Sequence, residues 1–352
     1  MSTSSLTAPS LVDLRDELRA AGLGKPAAVA TYAKFFLLAT AALSGLAWVA
    51  LNLDAPIYIL IPLALLSSWL LTGAAMCGHD GAHAATSHTP WVNTLLAQMG
   101  FTLLGGLSIT YWRHKHNSLH HPNVNVGTKD PDVQQGLLAL SVAQHESHGD
   151  FIRFLQRHFQ APVFWLVGAP LVLFDLKITS IHYVIKQLIA GGNRTAYLGD
   201  LAWLVAHYLL WVGLPLLFLP VSTALICFAV SSAWSGVYLA AIFAPAHVPY
   251  PVVKDFHDPL LLQLTSTRNL KTNWFFRFTL IGLDQQIEHH LAPTLPHFDL
   301  PRARVIVRSY CERHGLPYHE TSWLRALLDT TVAVRDGWRI NEVVVGEPAS
   351  LA

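Results

Sequence analysis

Apolar residues along this chain gather into long unbroken runs instead of alternating with polar ones. Four runs, 35–53, 57–76, 201–219 and 221–243, are long enough to cross a bilayer as helices, which takes about 20 residues. The breaks inside each pair are very short, Asp54 to Pro56 and Pro220 alone, so the pattern predicts two helical hairpins. A fifth run, 91–111, is also apolar enough to span. A sixth, 162–173, is too short and reads as interfacial or re-entrant. The predicted fold class is an all-α integral membrane protein: four transmembrane helices in two hairpins, with a cytoplasmic helical cap. No linker divides the chain. It reads as one domain made of an N-terminal segment (1–34), a first hairpin (35–76), a cytoplasmic or interfacial region (77–200), a second hairpin (201–243) and the cap (244–352).

Positive charge orients these segments. Arg15, Arg19, Lys25 and Lys34 precede the first hairpin, eight basic residues lie between Arg113 and Arg194, and eleven lie between Lys254 and Arg339. The hairpin turns hold none. With four spans all 23 basic residues fall on one side, as the positive-inside bias requires. If 91–111 crossed as well, the middle eight would face outward, so that run is expected in or against the membrane without crossing it. Both termini are expected in the cytoplasm.

Composition agrees. The chain is 52% hydrophobic and 13% charged, against about 25% charged in soluble domains. A net charge of +1 argues against a nucleic-acid partner. Cys77, Cys227 and Cys311 follow no ligand spacing and suit a reducing compartment. The N-terminus has no signal-peptide pattern. Histidine, with 19 copies, is the outlier.

The histidines cluster in three boxes. The first, His79-Asp80-Gly81-Ala82-His83, follows the second span. If that helix continues, positions i and i+4 share a face and both rings reach one metal. The second is His116-Asn117-Ser118-Leu119-His120-His121. On an α-helix His116 and His120 share a face and His121 turns about 100° away, so neighbouring histidines can serve two metals. His114 falls off that face and reads as solvent-exposed or supporting. The third box is Gln286-Ile287-Glu288-His289-His290. Each box alone is weak; three boxes in segments that all adjoin the same membrane face are specific. The nitrogen-rich set without cysteine suits iron, copper or zinc and argues against structural zinc. Asp80, Asp284 and Glu288 are candidates to hold the outer ring nitrogens.

These residues resemble the membrane-bound fatty-acyl desaturases, whose signature is HxxxH, HxxHH or HxxxHH, and (H/Q)xxHH. The stretch Trp112 to Asn123 is similar to the W..QHN.LHH..N pattern of bacterial linoleoyl-CoA-desaturase-like proteins. Asn273-Trp274-Phe275 with Gln286 to Pro293 resembles the (N/D)WF…QIEHHLFP block of front-end desaturases. His297 stands where that subgroup often has a histidine, and Ala246-His247-Val248 resembles an element whose histidine binds metal in the family.

The resemblance implies a cytoplasm-facing pair of iron ions, dioxygen, a narrow acyl tunnel, two external electrons per turnover, and a bacterial inner-membrane location. The implied metal ligands are His79, His83, His116, His120, His121, His247, His289 and His290, with Gln286 as a weaker ligand or supporting donor. Neither end carries the HPGG haem motif of fused cytochrome b5 relatives. The expected reductant is therefore separate: a ferredoxin, rubredoxin or cytochrome b5 with its reductase. Leu291-Ala292-Pro293 and Gly282-Leu283-Asp284 depart from the family pattern. The same metal-binding residues also serve terminal-alkene-forming decarboxylases, acyl hydroxylases and carotenoid oxygenases, which stay open as outcomes. A histidine-rich metal transporter is the remote alternative. It would need polar residues within the spans, where only His207 lies well inside, as a hydrogen-bonded core residue would.

Overall fold

A computed structural model describes residues 9–134 and 136–345. It is mostly helical. Helix α1 (Leu11–Ala20) starts at Ser10, whose hydroxyl accepts from the Asp13 amide at 3.1 Å. Helices α2 (Ala28–Leu51) and α3 (Ile57–Ala82) pack closely along each other. Both expose many apolar side chains, as lipid-facing helices do. The last turns of α3, from Gly73 on, are buried.

The fifth apolar run forms two helical pieces. Helix α4 (Pro90–Ala97) continues as a π-helix, Gln98–Leu104; after a break, α5 (Ile109–Trp112) continues as a second π-helix, Arg113–His120. The pieces are bent by 108°. Gly106 sits in the break at φ +73°, and a β-carbon there would stand 2.6 Å from His207 Nε2, so this corner admits only glycine. Asp200 clamps both pieces. It accepts from Gln98 Nε2 (2.6 Å), the Thr110 amide (2.9 Å), the Thr110 hydroxyl (2.7 Å) and the Ser108 hydroxyl.

Beyond a short helix α6 (Val142–Glu146), the chain departs from the sequence expectation. Residues 162–173 are not an isolated short element. They lie inside a continuous helical segment, Asp150–Ile189, made of α7 (Asp150–Val163), one π-turn and α8 (Ala169–Ile189). Asp175 and Lys177 end the apolar run without ending the helix. Helix α9 (Arg194–Tyr208) continues through irregular turns to Leu217, and α10 (Val221–His247) follows. Helix α10 packs mainly against α8 and only lightly against the end of the α9 segment, so the second pair is not a tightly packed hairpin. Among the described residues, five helical segments are long and apolar enough to cross a membrane: 28–51, 57–82, 150–189, 194–217 and 221–247. This is a multi-pass membrane protein.

The C-terminal part wraps the inner ends of these helices with α11 (Pro259–Ser266), α12 (Trp274–Thr279), α13 (Gln286–Leu291), α14 (Leu300–His314) and α15 (Trp323–Asp336). Two parallel strand pairs tie it together: β1 (Val253–Phe256) with β4 (Val343–Val345), and β2 (Asn269–Lys271) with β3 (Glu320–Ser322). A second apolar cluster joins Leu14 and Leu18 of α1 to Ile287 and Leu291 of α13 and to Val307 of α14. Arg15 Nε also donates to the Leu291 carbonyl at 2.7 Å, so α1 holds the far end of the third box.

Candidate metal centre

The three boxes and the end of α10 meet at one place. His79 lies in the last turn of α3 and His83 follows as its C-cap. His116 and His120 lie in the second π-helix and His121 follows it. His247 is the last residue of α10, and His289 and His290 lie on α13. All eight rings are buried. Box two is tied directly to box one: Asn117 Nδ2 donates to the Ala82 carbonyl at 3.0 Å. Glycines permit the close crossing behind it, since a β-carbon at Gly100 would stand 2.5 Å from the Ala75 carbonyl.

The ring nitrogens sort into two main groups. His79, His83, His116 and His289 bring one nitrogen each within 4.8 Å of one another, and so do His120, His247 and His290. Adjacent histidines are thus divided, His289 to the first group and His290 to the second. Box two differs from the α-helical expectation. Its winding is π, with hydrogen bonds from i to i+5. That winding brings His121 onto His116, their Nε2 atoms 3.1 Å apart. His120, which an α-helix would pair with His116, joins His247 and His290, and its ring stacks on His116 at 5.2 Å. Asp132, ion-paired with Lys115, also brings an oxygen within 4.8 Å of nitrogens of His116 and His120.

This set fits metal ions better than a network of hydrogen bonds. His116 Nε2 lies 3.1 Å from both His79 Nε2 and His121 Nε2, and one ring proton cannot fully satisfy both contacts. The Nε2 atoms of His83, His247, His289 and His290 are buried and have no hydrogen-bond partner among the described residues. Such orphans cost free energy unless something binds them. Burial among other histidines drives the rings of His289 and His290 well below the usual imidazole pKa, which keeps them neutral and free to donate a lone pair.

Outer partners fix which nitrogen points inward. His120 Nδ1 stands 3.0 Å from both oxygens of Asp130. His247 Nδ1 faces the Ser266 carbonyl at 3.2 Å, and His290 Nδ1 faces Gln263 Oε1 at 3.0 Å. These contacts assign Nδ1 to the outer partner and Nε2 to the centre. The three carboxylates singled out in the sequence do other work. Asp80 binds His297 Nδ1 at 2.7 Å, and His297 Nε2 meets Lys34 Nζ at 3.1 Å. Asp284 accepts from Thr272 and Arg277. Glu288 accepts from Asn269 Nδ2 and the Tyr318 hydroxyl, both at 2.8 Å, and burial pushes its carboxyl up to about 7. On α13 Glu288 points away from the face that carries His289 and His290, so it anchors the helix from behind.

Gln286 is fully buried. Its amide nitrogen donates to the Leu283 carbonyl at 2.9 Å, while its Oε1, next to His247, makes no full hydrogen bond among the described residues. His114 is exposed and stacks on Tyr183 at 5.2 Å. His207 is a buried, hydrogen-bonded core residue: its Nδ1 meets the Leu103 carbonyl at 2.9 Å. Sequence reasoning missed Asp130 and Gln263. Asp130, ten residues past His120 in a Lys-Asp-Pro-Asp turn, carried a weak signal; Gln263, inside an apolar stretch before box three, carried none.

A cavity of about 220 Å³ opens beside the centre, lined mostly by apolar side chains of α3, α8, α9 and α10. Met76, Phe101 and Trp112 wall its near end. The rings of Phe101 and Trp112 each lie 6.3 Å from the His79 ring, and Trp112 stacks on His116 at 4.5 Å.

A family model described as fatty acid desaturase matches residues 55–322. The chain is 28% identical to human fatty acid desaturase 3 over 310 residues, 85% of this chain and 66% of that protein. It is 30% identical to the acyl-lipid (9-3)-desaturase of Physcomitrium patens over 260 residues, 70% of this chain and 48% of that one. The chain thus spans about half to two thirds of the length of these curated relatives.

Proposed function

Because the chain belongs to the fatty acid desaturase family, we propose that it is an oxygen-dependent non-haem diiron oxidoreductase that introduces a carbon–carbon double bond into a fatty-acyl chain. The observation that carries this reading is the convergence of eight buried histidines from four segments, with four unpartnered Nε2 atoms aimed inward. His79, His83, His116, His121 and His289 would hold one iron; His120, His247 and His290 the other, with Gln286 beside it. When bound, the irons supply the oxidising chemistry with dioxygen that an unactivated methylene requires.

The chain's own residues do the rest. Asp130, Gln263 and the Ser266 carbonyl keep three rings in the tautomer that presents Nε2. The apolar cavity takes the acyl chain and excludes water. Phe101 and Trp112 hold a stretch of that chain against the His79 side of the centre. Electrons come from a separate ferredoxin, rubredoxin or cytochrome b5, docked on the basic cytoplasmic face.

The parity of the crossings supports the four-span topology. His120 precedes α7 and His290 follows α10, yet their rings lie 5.0 Å apart. Three apolar helical segments separate them, so an even number of these cross. The 150–189 segment is about 60 Å long at 1.5 Å per residue and carries Arg153, Arg157, Asp175, Lys177 and Lys186; it is the one assigned to the interface. The bent 90–123 pair likewise starts and ends level with the boxes, because His79 and His116 touch, and is assigned as re-entrant. The basic residues then share one face, which the positive-inside bias makes cytoplasmic together with both termini; the bacterial inner membrane is the compartment proposed.

Expression of the full chain in a bacterium of defined lipid composition, with gas chromatography–mass spectrometry of acyl chains and hydrocarbons, tests the reading. A new double bond dependent on His83, His120 and His290 is expected. A hydroxy acid, a terminal alkene or an unchanged profile would overturn it.

A further inference from the structure

Lys177 lies in the middle of α8 and is 5% exposed. Its ammonium has no carboxylate partner among the described residues. It meets His207 Nε2 at 3.1 Å and stands 4.5 Å from the Phe228 ring centroid. The lysine, His207 and Phe228 all line the apolar cavity beside the centre.

His207 is fixed in this pairing. Its Nδ1 faces the Leu103 carbonyl, which also accepts from Trp211 Nε1 at 2.9 Å. The ring proton is therefore on Nδ1, and Nε2 accepts from Lys177. One N–H of the lysine is used and the others are left for the cavity. A buried ammonium is costly unless an anion or hydrogen-bond acceptors balance it. Among the described residues the Lys177 ammonium meets one neutral nitrogen and the face of one aromatic ring. The missing component is a small anion; the rest of the lining is mostly apolar and suits a hydrocarbon, with the hydroxyls of Ser68, Thr72, Ser231, Ser232 and Ser235 as the exceptions.

Charge complementarity points to one class of molecule that carries both. We propose that Lys177, oriented by His207, is the seat for the carboxylate of an unesterified fatty acid whose hydrocarbon chain fills the cavity toward Trp112 and Phe101. This rests on the reading of the cavity as the acyl pocket and deepens it: the form of substrate recognised is the free acid, not a thioester or a glycerolipid. The carboxylate accepts from the free N–H groups of Lys177. An ester or thioester of the same chain offers no charge to the lysine and adds bulk at that end.

The test is equilibrium binding of radiolabelled palmitic, oleic and linoleic acids, and of their methyl esters, to the purified full-length protein in detergent without a reductant. At least one acid is expected to bind about tenfold or more tightly than its own ester, the margin of a charge-assisted hydrogen bond. Lys177→Met should remove that margin and leave ester binding unchanged, while Lys177→Arg should keep most of it. Equal affinity of every acid and its ester in the unaltered protein would overturn the proposal, because it is the result for a neutral lysine bonded only to His207. So would an acid preference that survives Lys177→Met. If Lys177→Met fails to fold, the acid–ester comparison in the unaltered protein and in Lys177→Arg decides alone. Binding needs neither electrons nor oxygen. Absence of any acid preference in the unaltered protein, with double-bond formation intact, would therefore defeat the carboxylate seat and leave the desaturase reading standing; an acid preference that depends on Lys177 without double-bond formation would do the opposite.

Discussion

Gln263 Oε1 stands 3.0 Å from His290 Nδ1, and the amide nitrogen of the same side chain donates to the His121 carbonyl at 2.7 Å. One neutral residue on α11 thus orients a ring of the third box and holds the backbone of the second. Gln263→Leu leaves His290 free to turn and to change tautomer. Metal affinity should fall about 10- to 100-fold, the usual cost of losing such a partner. Iron content after dialysis against a graded chelator measures this. Iron retention equal to the unaltered protein would show that Gln263 is only packing.

Asp130 has the same duty for His120 and a second one for the loop that follows. Its carboxylate accepts from the Asn125 amide at 2.8 Å and from the Asp132 amide at 2.9 Å. Asn125 in turn donates to the His247 carbonyl at 3.0 Å. Asp130→Asn keeps the shape but lacks one acceptor, so either His120 Nδ1–H or a backbone amide goes without. Turnover should drop at least about tenfold with the protein still inserted in the membrane. Full activity with full iron content would rule out the orienting role.

The convergence of the histidine boxes was legible in the sequence because the cluster uses one residue type at close spacing, and the spacing survives in one dimension. The first span pair was equally legible, since 20 apolar residues in a row have few other uses. Three things were not. The π-winding of box two swaps which neighbour His116 meets, and nothing in Arg113 to His120 marks that extra residue per turn. The outer partners differ from the sequence expectation because Asp80 and Glu288, adjacent to cluster histidines in sequence, turn away from those rings and pair with His297 and Tyr318. The 150–189 helix was cut short because Asp175 and Lys177 end its apolar run, although a lysine can sit inside a helix when a cavity receives its head group.

Asp200 gives a prediction about stability. It is fully buried and takes hydrogen bonds from Gln98, Ser108 and Thr110, on both sides of the 108° corner. Asp200→Ala strands those donors where water does not reach. The expected loss is about 3 kcal/mol, from more than one charged hydrogen bond at 1.5–3 kcal/mol each with partial compensation. A fall in the thermal unfolding midpoint in detergent, larger than for Asp200→Asn, checks it. Because the corner carries box two, iron content should fall with stability. An unfolding midpoint that did not move would mean that the corner is held by packing alone.

The parity of the spans gives the sharpest test of topology. Box two and box three touch across three apolar helical segments, so the loop between 150–189 and 194–217 lies either on the side of the boxes or opposite them. If 150–189 rests at the interface, that loop is cytoplasmic and both α9 and α10 cross. If 150–189 crosses, the loop is outside, and one of the two helices after it must fail to cross. Single cysteines distinguish these cases in a Cys227→Ala background, which removes the exposed native thiol. A membrane-impermeant maleimide applied to intact cells should label Asp54→Cys and Ser222→Cys. It should reach Thr195→Cys only after the cells are opened. Labelling of Thr195→Cys from outside would move 150–189 across the bilayer. Lys177 would then lie within a span, and the basic residues on either side of that segment would no longer share one face.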